Sequence, residues 1–246
     1  MTSRGWALVT GAGRRIGQVL ALRTAEAGYD LVIHTRRADG AETAEGVRRL
    51  GARAASSTAD LTDPDACARL IGDAPGPLTL LVNCASIFED DRLQTLGPSG
   101  LDRAFAVNTR APILLAQAFA AALPAEAEGL IVNLLDQKVL RLDPRFFSYT
   151  VSRAALWAAT QMMAQALAPR IRVNAIGPGP TLPSVHQSAD DFAAEAAGTP
   201  LGRPVDPDEV ARALAYLIEA RSVTGQMIAA DSGQHLGWRT PDVIGE

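Results

Sequence analysis

Short apolar segments alternate with longer helical patterns along the whole chain, and this alternation constrains the fold more than any other feature. Segments such as Trp6–Thr10 and Leu78–Asn83 are almost continuously apolar. A strand that is apolar on both sides fits a parallel sheet covered by helices on both faces. The pattern predicts an α/β fold, with a doubly wound parallel sheet of seven strands flanked by helices. The predicted strands are Trp6–Thr10, Asp30–Thr35, Arg53–Ser57, Leu78–Asn83, Gly129–Leu134, Arg170–Ala175 and Gln226–Ala230.

Helical patterns fill most of the intervals between these strands. The predicted helices are Ile16–Ala27, Ala41–Leu50, Asp65–Gly72, Ser99–Leu123, Ser148–Ala168 and Asp208–Glu219. No Pro-, Gly- and Ser-rich linker divides the chain, so we expect residues 1–246 to form one domain. The least regular stretch, 177–203, follows the carboxyl end of the sixth strand, where open α/β sheets bind ligands. We interpret it as a substrate-covering loop; the alternative is an ordinary long surface loop.

The composition excludes several classes of protein. Apolar residues make up 48% and charged residues 20% of the 246 residues, as in folded globular proteins. The net charge of −4 gives no bulk attraction to nucleic acid or to an anionic membrane. The longest apolar stretch, Ala111–Leu123, is too short to span a bilayer. Cys67, Cys84 and the three histidines show no zinc-ligand spacing, so we predict reduced thiols, no metal and a cytoplasmic protein acting on a small molecule.

A glycine-containing loop joins the first predicted strand to the first predicted helix. It reads Thr-Gly-Ala-Gly-Arg-Arg-Ile-Gly over residues 10–17. Glycines allow the backbone to approach a pyrophosphate, and the helix N-terminus offers free N–H groups to it. The third glycine comes one residue later than in the G-x-G-x-x-G spacing, so the position between strand and helix carries the prediction of nucleotide binding. The alternative is a merely tight turn.

The second predicted strand ends in basic residues. An NAD site places an Asp or Glu near this point to accept from the ribose 2′-hydroxyl, and none is present. Arg36 and Arg37 occupy the place of a 2′-phosphate, and Arg14 and Arg15 add positive charge from the glycine loop. Because guanidinium binds phosphate bidentately, NADP is favoured over NAD. The alternative is that these arginines are solvated surface charges.

Further elements follow the later strands in a characteristic order. They are Asp60-Leu61, Asn83-Cys84-Ala85-Ser86, Asn108, Tyr149 with Arg153 four residues later, and Pro178-Gly179. With the glycine loop, this order resembles the short-chain dehydrogenase/reductase family over nearly the whole chain, which implies a Rossmann domain. Three features are most similar to the pteridine reductases and the related bacterial dihydromonapterin and alternative dihydrofolate reductases. Arg15 stands where most relatives have glycine, Asp136 replaces the usual serine 13 residues before Tyr149, and Phe88 follows the Asn83–Ser86 element.

The resemblance implies roles for individual residues. It implies cofactor binding by Gly11, Arg14, Arg15, Ile16, Gly17, His34, Arg36, Arg37, Asp60, Leu61, Asn83, Ala85, Ser86, Arg153, Pro178 and Gly179. It makes Tyr149 the proton donor, assisted by Asp136, with Asn108 positioning a water. Phe88 would stack on the substrate, which Tyr149 and Asp136 also contact. It also implies a homotetramer or homodimer.

Arg153 departs from the family pattern, in which a lysine stands four residues after the tyrosine. In the family this lysine hydrogen-bonds a ribose of the cofactor. Because residues four apart on a helix share a face, Arg153 can reach the same ribose. Its permanent charge favours tyrosinate, but a guanidinium does not release a proton in proteins. We therefore expect cofactor binding to survive, turnover to be reduced or rerouted, and Asp136 to carry more of the proton delivery.

The sequence thus favours an NADPH-dependent reductase of a dihydropterin or dihydrofolate. The first alternative is a carbonyl reductase acting on substrates such as 3-oxoacyl thioesters. Asp136 argues against it, because an ionised carboxylate repels a developing alkoxide. The second alternative is a non-catalytic NADP-binding protein, which the replacement of lysine by Arg153 keeps open.

Overall fold

A computed structural model describes residues 3–37 and 40–238 of the chain. The strands are β1 (Trp6–Thr10), β2 (Asp30–Thr35), β3 (Ala54–Thr58), β4 (Leu78–Asn83), β5 (Gly129–Leu134), β6 (Ile171–Pro178) and β7 (Met227–Ala230). The helices are α1 (Arg15–Glu26), α2 (Ala41–Arg49), α3 (Pro64–Gly72), α4 (Pro98–Phe105), α5 (Ala111–Ala122), α6 (Phe147–Leu167), α7 (Ala189–Ala197) and α8 (Pro207–Glu219). A π-helical turn (Ala106–Arg110) joins α4 to α5, and 3₁₀ turns occupy Gln137–Val139 and Gln234–Leu236.

The seven strands found in residues 3–37 and 40–238 form one parallel sheet in the order β3-β2-β1-β4-β5-β6-β7. The predicted doubly wound α/β fold is confirmed. The strand order reverses between β1 and β4, and ligands of such sheets bind at the carboxyl ends of the strands beside that point. The loops that begin at Gly11 and at Cys84 both start there.

Helices cover both faces of the sheet, which explains why the strands are apolar throughout. Successive side chains of β1 enter different cores: Ala7 and Val9 pack with α1 and α8, whereas Trp6 and Leu8 pack with α3 and α5. Side chains alternate between the faces of a strand, so a strand covered on both faces has no position left for exposed polar residues.

The prediction of one continuous helix over Ser99–Leu123 is wrong. The structure divides it into α4, a π-helical turn and α5. Pro112, at the second position of α5, lacks the N–H that would bond to the carbonyl of Asn108. Such wide turns interrupt helices mostly at functional sites.

The segment Gly177–Arg203 is also more regular than predicted, because it contains α7. Ser188 Oγ accepts from the backbone N–H of Asp191, and the Asp191 carboxylate accepts from the backbone N–H of Ser188. This reciprocal capping starts the helix although the surrounding sequence is rich in Pro, Ser and Thr. Within the described part of the chain, no helix is long and apolar enough to cross a membrane.

Candidate active site

A groove of about 560 Å³ opens at the carboxyl ends of β1, β2 and β4. Most of the residues predicted to bind the cofactor line it: Gly11, Arg14, Arg15, Ile16, Gly17, His34, Arg36, Arg37, Asp60, Leu61, Ala85 and Ser86. The groove continues past Phe88 to Ser184 and Val185 in the segment after β6. The structure therefore brings together the phosphate-loop, basic and substrate-covering residues that the sequence singled out separately.

The glycine loop is packed too closely for larger residues. A Cβ on Gly11, whose φ is +68°, would lie 2.9 Å from the Cα of Ala85. A Cβ on Gly17 would overlap the carbonyl of Gly11. Thr10 Oγ1 accepts from the backbone N–H groups of Cys84 and Ala85, so it ties β1 to β4 beneath the loop. Because the loop is packed this closely, its backbone N–H groups form the surface that a pyrophosphate would contact.

His34 supports the loop from the end of β2. Its Nδ1 accepts from the backbone N–H of Gly11 at 3.4 Å, and its Nε2 lies 3.1 Å from the carbonyl of Ala59. These partners require a neutral ring with the proton on Nε2. Burial lowers the pKa of His34 below its usual 6.5, which favours that neutral form.

The basic end of β2 faces solvent at the rim of the groove, where Arg36 and Arg37 are exposed. Asp60 Oδ1 accepts from the backbone N–H and the hydroxyl of Thr62. These bonds, with the charge of Arg36, outweigh desolvation and lower the pKa of Asp60. Asp60 is therefore a carboxylate held by Thr62 and influenced by the charge of Arg36.

Tyr149, which is buried, and Asp136, which is half-buried, form a hydrogen-bonded pair. The Tyr149 hydroxyl donates to Asp136 Oδ2 at 2.9 Å, and the backbone N–H of Lys138 donates to Asp136 Oδ1 at 2.8 Å. Burial raises the pKa of Asp136 despite these bonds and the cations Lys138 and Arg153. Burial and the Asp136 charge raise the pKa of Tyr149 far above its usual 10. Both shifts keep a proton on the pair.

Arg153 is 2% exposed and lies against the tyrosine ring, with Cζ 5.4 Å from the ring centroid of Tyr149. Its Nε and Nη1 have no hydrogen-bond partner among the described residues. Buried guanidinium donors without partners are costly, so the position fits a bound group that brings acceptor oxygens, such as ribose hydroxyls. This is the place where the resemblance put the nicotinamide ribose.

Asn108 and Asp91 join the loop after β4 to the helix that carries Tyr149. The Asn108 side chain accepts from the backbone N–H of Ile87 and donates to the carbonyl of Ile87 and the hydroxyl of Ser152. Asp91 Oδ1 accepts from the backbone N–H of Ser148 in the first turn of α6. The side chain of Asn108 thus acts on protein groups, and its positioning of a water stays a prediction.

Phe88 lies in an aromatic cluster beside the pair of Tyr149 and Asp136. Its ring stacks on Phe146 with centroids 4.3 Å apart and meets Tyr149 edge-on at 4.7 Å. His186, from the segment after β6, lies 6.1 Å away and its Nε2 is 3.2 Å from the carbonyl of Phe88. Phe146 has a left-handed backbone (φ +53°), a conformation that is unusual for a bulky residue and clusters at functional sites.

The remaining predicted residues lie outside the lining of the groove. The Asn83 side chain is turned inward, where Nδ2 donates to Asn133 Oδ1 at 2.8 Å. Pro178 ends β6 beside the site, and a Cβ on Gly179 would lie 2.7 Å from the Cα of Asp231. Burial raises the pKa of the Cys84 thiol to about 11, so this thiol remains protonated.

Sequence reasoning missed three features of this site. Arg15, predicted only as a phosphate ligand, donates from Nη2 to the carbonyls of Leu182 (3.3 Å) and Pro183 (2.9 Å). Phe146 stacks on Phe88, and the ammonium of Lys138 lies 5.9 Å from the Phe146 ring centroid, two contacts that the sequence analysis does not predict. The loop contacts carry no local sequence signal, whereas the position of Lys138 two residues after Asp136 could have drawn attention to it.

Comparisons with known proteins agree over almost the full length. A model of the family described as enoyl-(acyl carrier protein) reductase matches residues 11–235. The structure is similar to that of FolM alternative dihydrofolate reductase 1 from Brucella canis complexed with NADP, with 46% identity, 99% of each chain covered and a TM-score of 0.93. A putative betaketoacyl-ACP reductase is 32% identical, with a TM-score of 0.84 over 96% of this chain and 100% of that one. The uncharacterized oxidoreductase MT0954 of Mycobacterium tuberculosis is 35% identical over 239 residues, covering 92% of this chain and 90% of its own.

Proposed function

The chain belongs to the short-chain dehydrogenase/reductase family and is an oxidoreductase, and on that premise we propose that it reduces a pterin-type substrate, a dihydropterin or dihydrofolate, with NADPH. One observation carries the choice of substrate: the ring of Phe88 meets Tyr149 edge-on, and the Tyr149 hydroxyl donates to Asp136. A stacking ring beside a proton-holding pair suits a flat heterocycle that gains a proton on a ring nitrogen. The similarity to an alternative dihydrofolate reductase supports the same substrate class.

The cofactor is NADP(H), as predicted. The residues present fit it: the glycine loop offers backbone N–H groups, Arg36 and Arg37 suit a 2′-phosphate, and Arg153 has unpartnered donors for ribose hydroxyls. When bound, NADPH supplies the hydride. The protein supplies the binding surface, the orientation and the proton.

Tyr149 and Asp136 hold the proton that the substrate needs. Burial raises the pKa of both groups, and the Asp136 charge raises that of Tyr149 further, so the proton between Tyr149 Oη and Asp136 Oδ2 stays on the pair at neutral pH. Arg153 cannot release a proton, so it contributes charge and donors rather than a relay step. The pair is therefore the acid that protonates a ring nitrogen.

A carbonyl reductase is the second candidate, favoured by the similarity to a putative betaketoacyl-ACP reductase. The reduction of a ketone builds negative charge on oxygen, which neutral hydroxyl donors stabilise. Asp136 places a carboxyl group where such a donor would be needed. We therefore rank this function below pterin reduction.

The test compares three substrates under the same conditions. Purified protein is assayed for NADPH oxidation with a dihydropterin, dihydrofolate and a 3-oxoacyl thioester, and NADH replaces NADPH as the cofactor control. Turnover of a pterin-type substrate with NADPH alone supports the proposal. Turnover of the thioester only, or of none of the three with NADPH bound, contradicts it.

We also propose that the protein assembles as a homotetramer or homodimer in the cytoplasm. Ile113, Val151 and Met162 are exposed apolar side chains on α5 and α6, which suits a surface shared between copies. Cys67 and Cys84 are free thiols, which suits a reducing compartment. Light scattering coupled to size-exclusion chromatography measures the assembly state, and a monomeric mass contradicts the proposed oligomer.

A further inference from the structure

Lys138 is the one lysine of this chain, whereas arginine occupies the 22 other basic positions. It lies in the 3₁₀ turn directly after β5, two residues beyond Asp136. Lysine and arginine are both cationic at neutral pH, but lysine is a compact point charge with three rotatable donors. The one lysine of the chain therefore lies beside Asp136 and Tyr149, where its compact charge can act on a bound substrate.

The ammonium of Lys138 is enclosed but poorly partnered. Its side chain is 11% exposed, and its ion pair is with Asp143 Oδ2 at 3.5 Å. Asp143 is already held by Arg145, whose Nη2 and Nε donate to it at 2.7 and 3.1 Å. A distance of 3.5 Å is long for a charged hydrogen bond, so the ammonium keeps donor capacity that no described residue uses.

The same ammonium faces the aromatic cluster that is expected to hold the substrate. Lys138 Nζ lies 5.9 Å from the ring centroid of Phe146, and that ring is stacked on Phe88. A substituent that extends from a heterocycle on Phe88 past Phe146 would approach this ammonium, which has donors that no described residue uses. An arginine would place a larger planar fork in this enclosed space.

We propose that Lys138 is a specificity-determining residue that donates hydrogen bonds to oxygen acceptors on the substituent of the pterin ring. This inference rests on the proposed function of the site. The acceptor oxygens can come from the hydroxyls of a short polyol side chain or from the carbonyl and carboxylate groups of a benzoylglutamate tail. Both sources present the same chemistry to an ammonium, so the experiment separates them.

The first experiment measures kcat and KM for Lys138→Met and Lys138→Arg with three substrates: 6-methyl-7,8-dihydropterin, 7,8-dihydrobiopterin and dihydrofolate. In Lys138→Met we expect KM to rise about 10- to 100-fold for the substrate whose substituent the ammonium binds. KM for the methyl compound should change less than about 3-fold, and any change in kcat that follows from losing the charge beside Asp136 should be the same for all three substrates. Lys138→Arg should recover part of the loss. Arg141→Met is the matched control, because Arg141 is an exposed cation of the same loop that donates to the carbonyl of Gln234.

An equal rise in KM for all three substrates, or no rise for any, overturns the proposal. If the wild-type protein reduces no pterin, the proposed function fails, and a binding experiment still decides the role of Lys138. Protein labelled with ¹⁵Nζ-lysine gives one side-chain resonance, because the chain has one lysine. In the presence of NADP⁺, oxidised biopterin or folate should shift this resonance and 6-methylpterin should leave it in place. A resonance that no substituted pterin moves overturns the proposal.

Discussion

The hydroxyl of Tyr149 donates a 2.9 Å hydrogen bond to Oδ2 of Asp136. Tyr149 is buried in the opening turn of α6, whereas Asp136 is half-buried and follows the end of β5. A phenol and a carboxyl group in this arrangement share a proton that neither solvent nor Arg153 readily removes. In the proposed reaction we therefore assign proton delivery to the pair rather than to the tyrosine alone.

Replacing Asp136 with Asn should lower the turnover of the enzyme and raise its thermal stability. The fold raises the pKa of Asp136 above its usual 3.8, so the folded protein binds more protons than the unfolded chain between the two pKa values. The stability from this group is fully present below pH 3.8 and is lost as pH rises through the folded pKa. Asp136→Asn should therefore raise the melting temperature at pH 7 to 8 while turnover falls about 10²- to 10⁴-fold. Thermal unfolding at several pH values and initial rates measure both effects. A variant that is less stable than wild type at pH 8 contradicts the raised pKa of Asp136.

Replacing Arg153 with Lys should raise turnover. A lysine at this position can take part in proton transfer, which a guanidinium cannot do. Arg153→Met should instead weaken NADPH binding, because it removes the buried Nε and Nη1 donors. Steady-state rates and NADPH titration by fluorescence measure the two variants. A loss of activity in Arg153→Lys would show that arginine is more than a weaker substitute for lysine.

Removing the Arg15 side chain should loosen the segment after β6. Arg15 holds the carbonyls of Leu182 and Pro183, so Arg15→Ala should accelerate hydrogen exchange of amides in residues 182–187 in the cofactor-free protein. Arg14→Ala is the control, since Arg14 is a neighbouring exposed arginine for which the structure records no bond to this segment. Exchange that is unchanged in Arg15→Ala, or equally faster in both variants, would show that the Arg15 hydrogen bonds do not hold this segment in place.

Acidification should weaken the phosphate loop through His34. Burial lowers its pKa below 6.5, so the unfolded chain binds a proton more readily than the folded protein. Stability from this group is present above pH 6.5 and is lost as pH falls from 6.5 toward the folded pKa. Protonation would also turn Nδ1 into a donor facing the Gly11 N–H. NADPH affinity should fall at lower pH, where the folded protein itself takes up this proton at its lowered pKa, and His34→Gln should flatten this dependence. An unchanged pH profile in the variant would exclude His34 as its cause.

Replacing Arg36 with Glu should shift the cofactor preference. The variant places a carboxylate at the end of β2, where a ribose 2′-hydroxyl is a partner and a 2′-phosphate is repelled. We expect the ratio of kcat/KM for NADPH over NADH to fall at least 10-fold. Arg49→Glu, at the end of α2 and outside the groove, should leave the ratio unchanged. A preserved preference for NADPH in Arg36→Glu would assign the phosphate to other side chains.

Local signals account for most of what was predicted. The strands β1, β2, β4 and β5 match their predicted bounds, because continuous apolar runs ending in turn residues leave few alternatives. The ordered motifs identified the family, and the spacing between Asp136 and Tyr149 anticipated their contact. The helix break at 106–110 and helix α7 escaped prediction, since one depends on Pro112 within an otherwise helical run and the other on capping within a polar segment.

The sequence by itself determined the doubly wound sheet, the glycine loop at its switch point and the residue types of the catalytic pair, because each depends on periodicity or short spacing along one segment. The tertiary structure decided which of these residues meet. The tether from Arg15 to Pro183 and the stack of Phe88 on Phe146 join residues far apart in the chain. The enclosure that raises the pKa of Asp136 and leaves Lys138 poorly partnered depends equally on packing. Burial and side-chain direction follow from how loops pack on the finished sheet, and no local pattern encodes them.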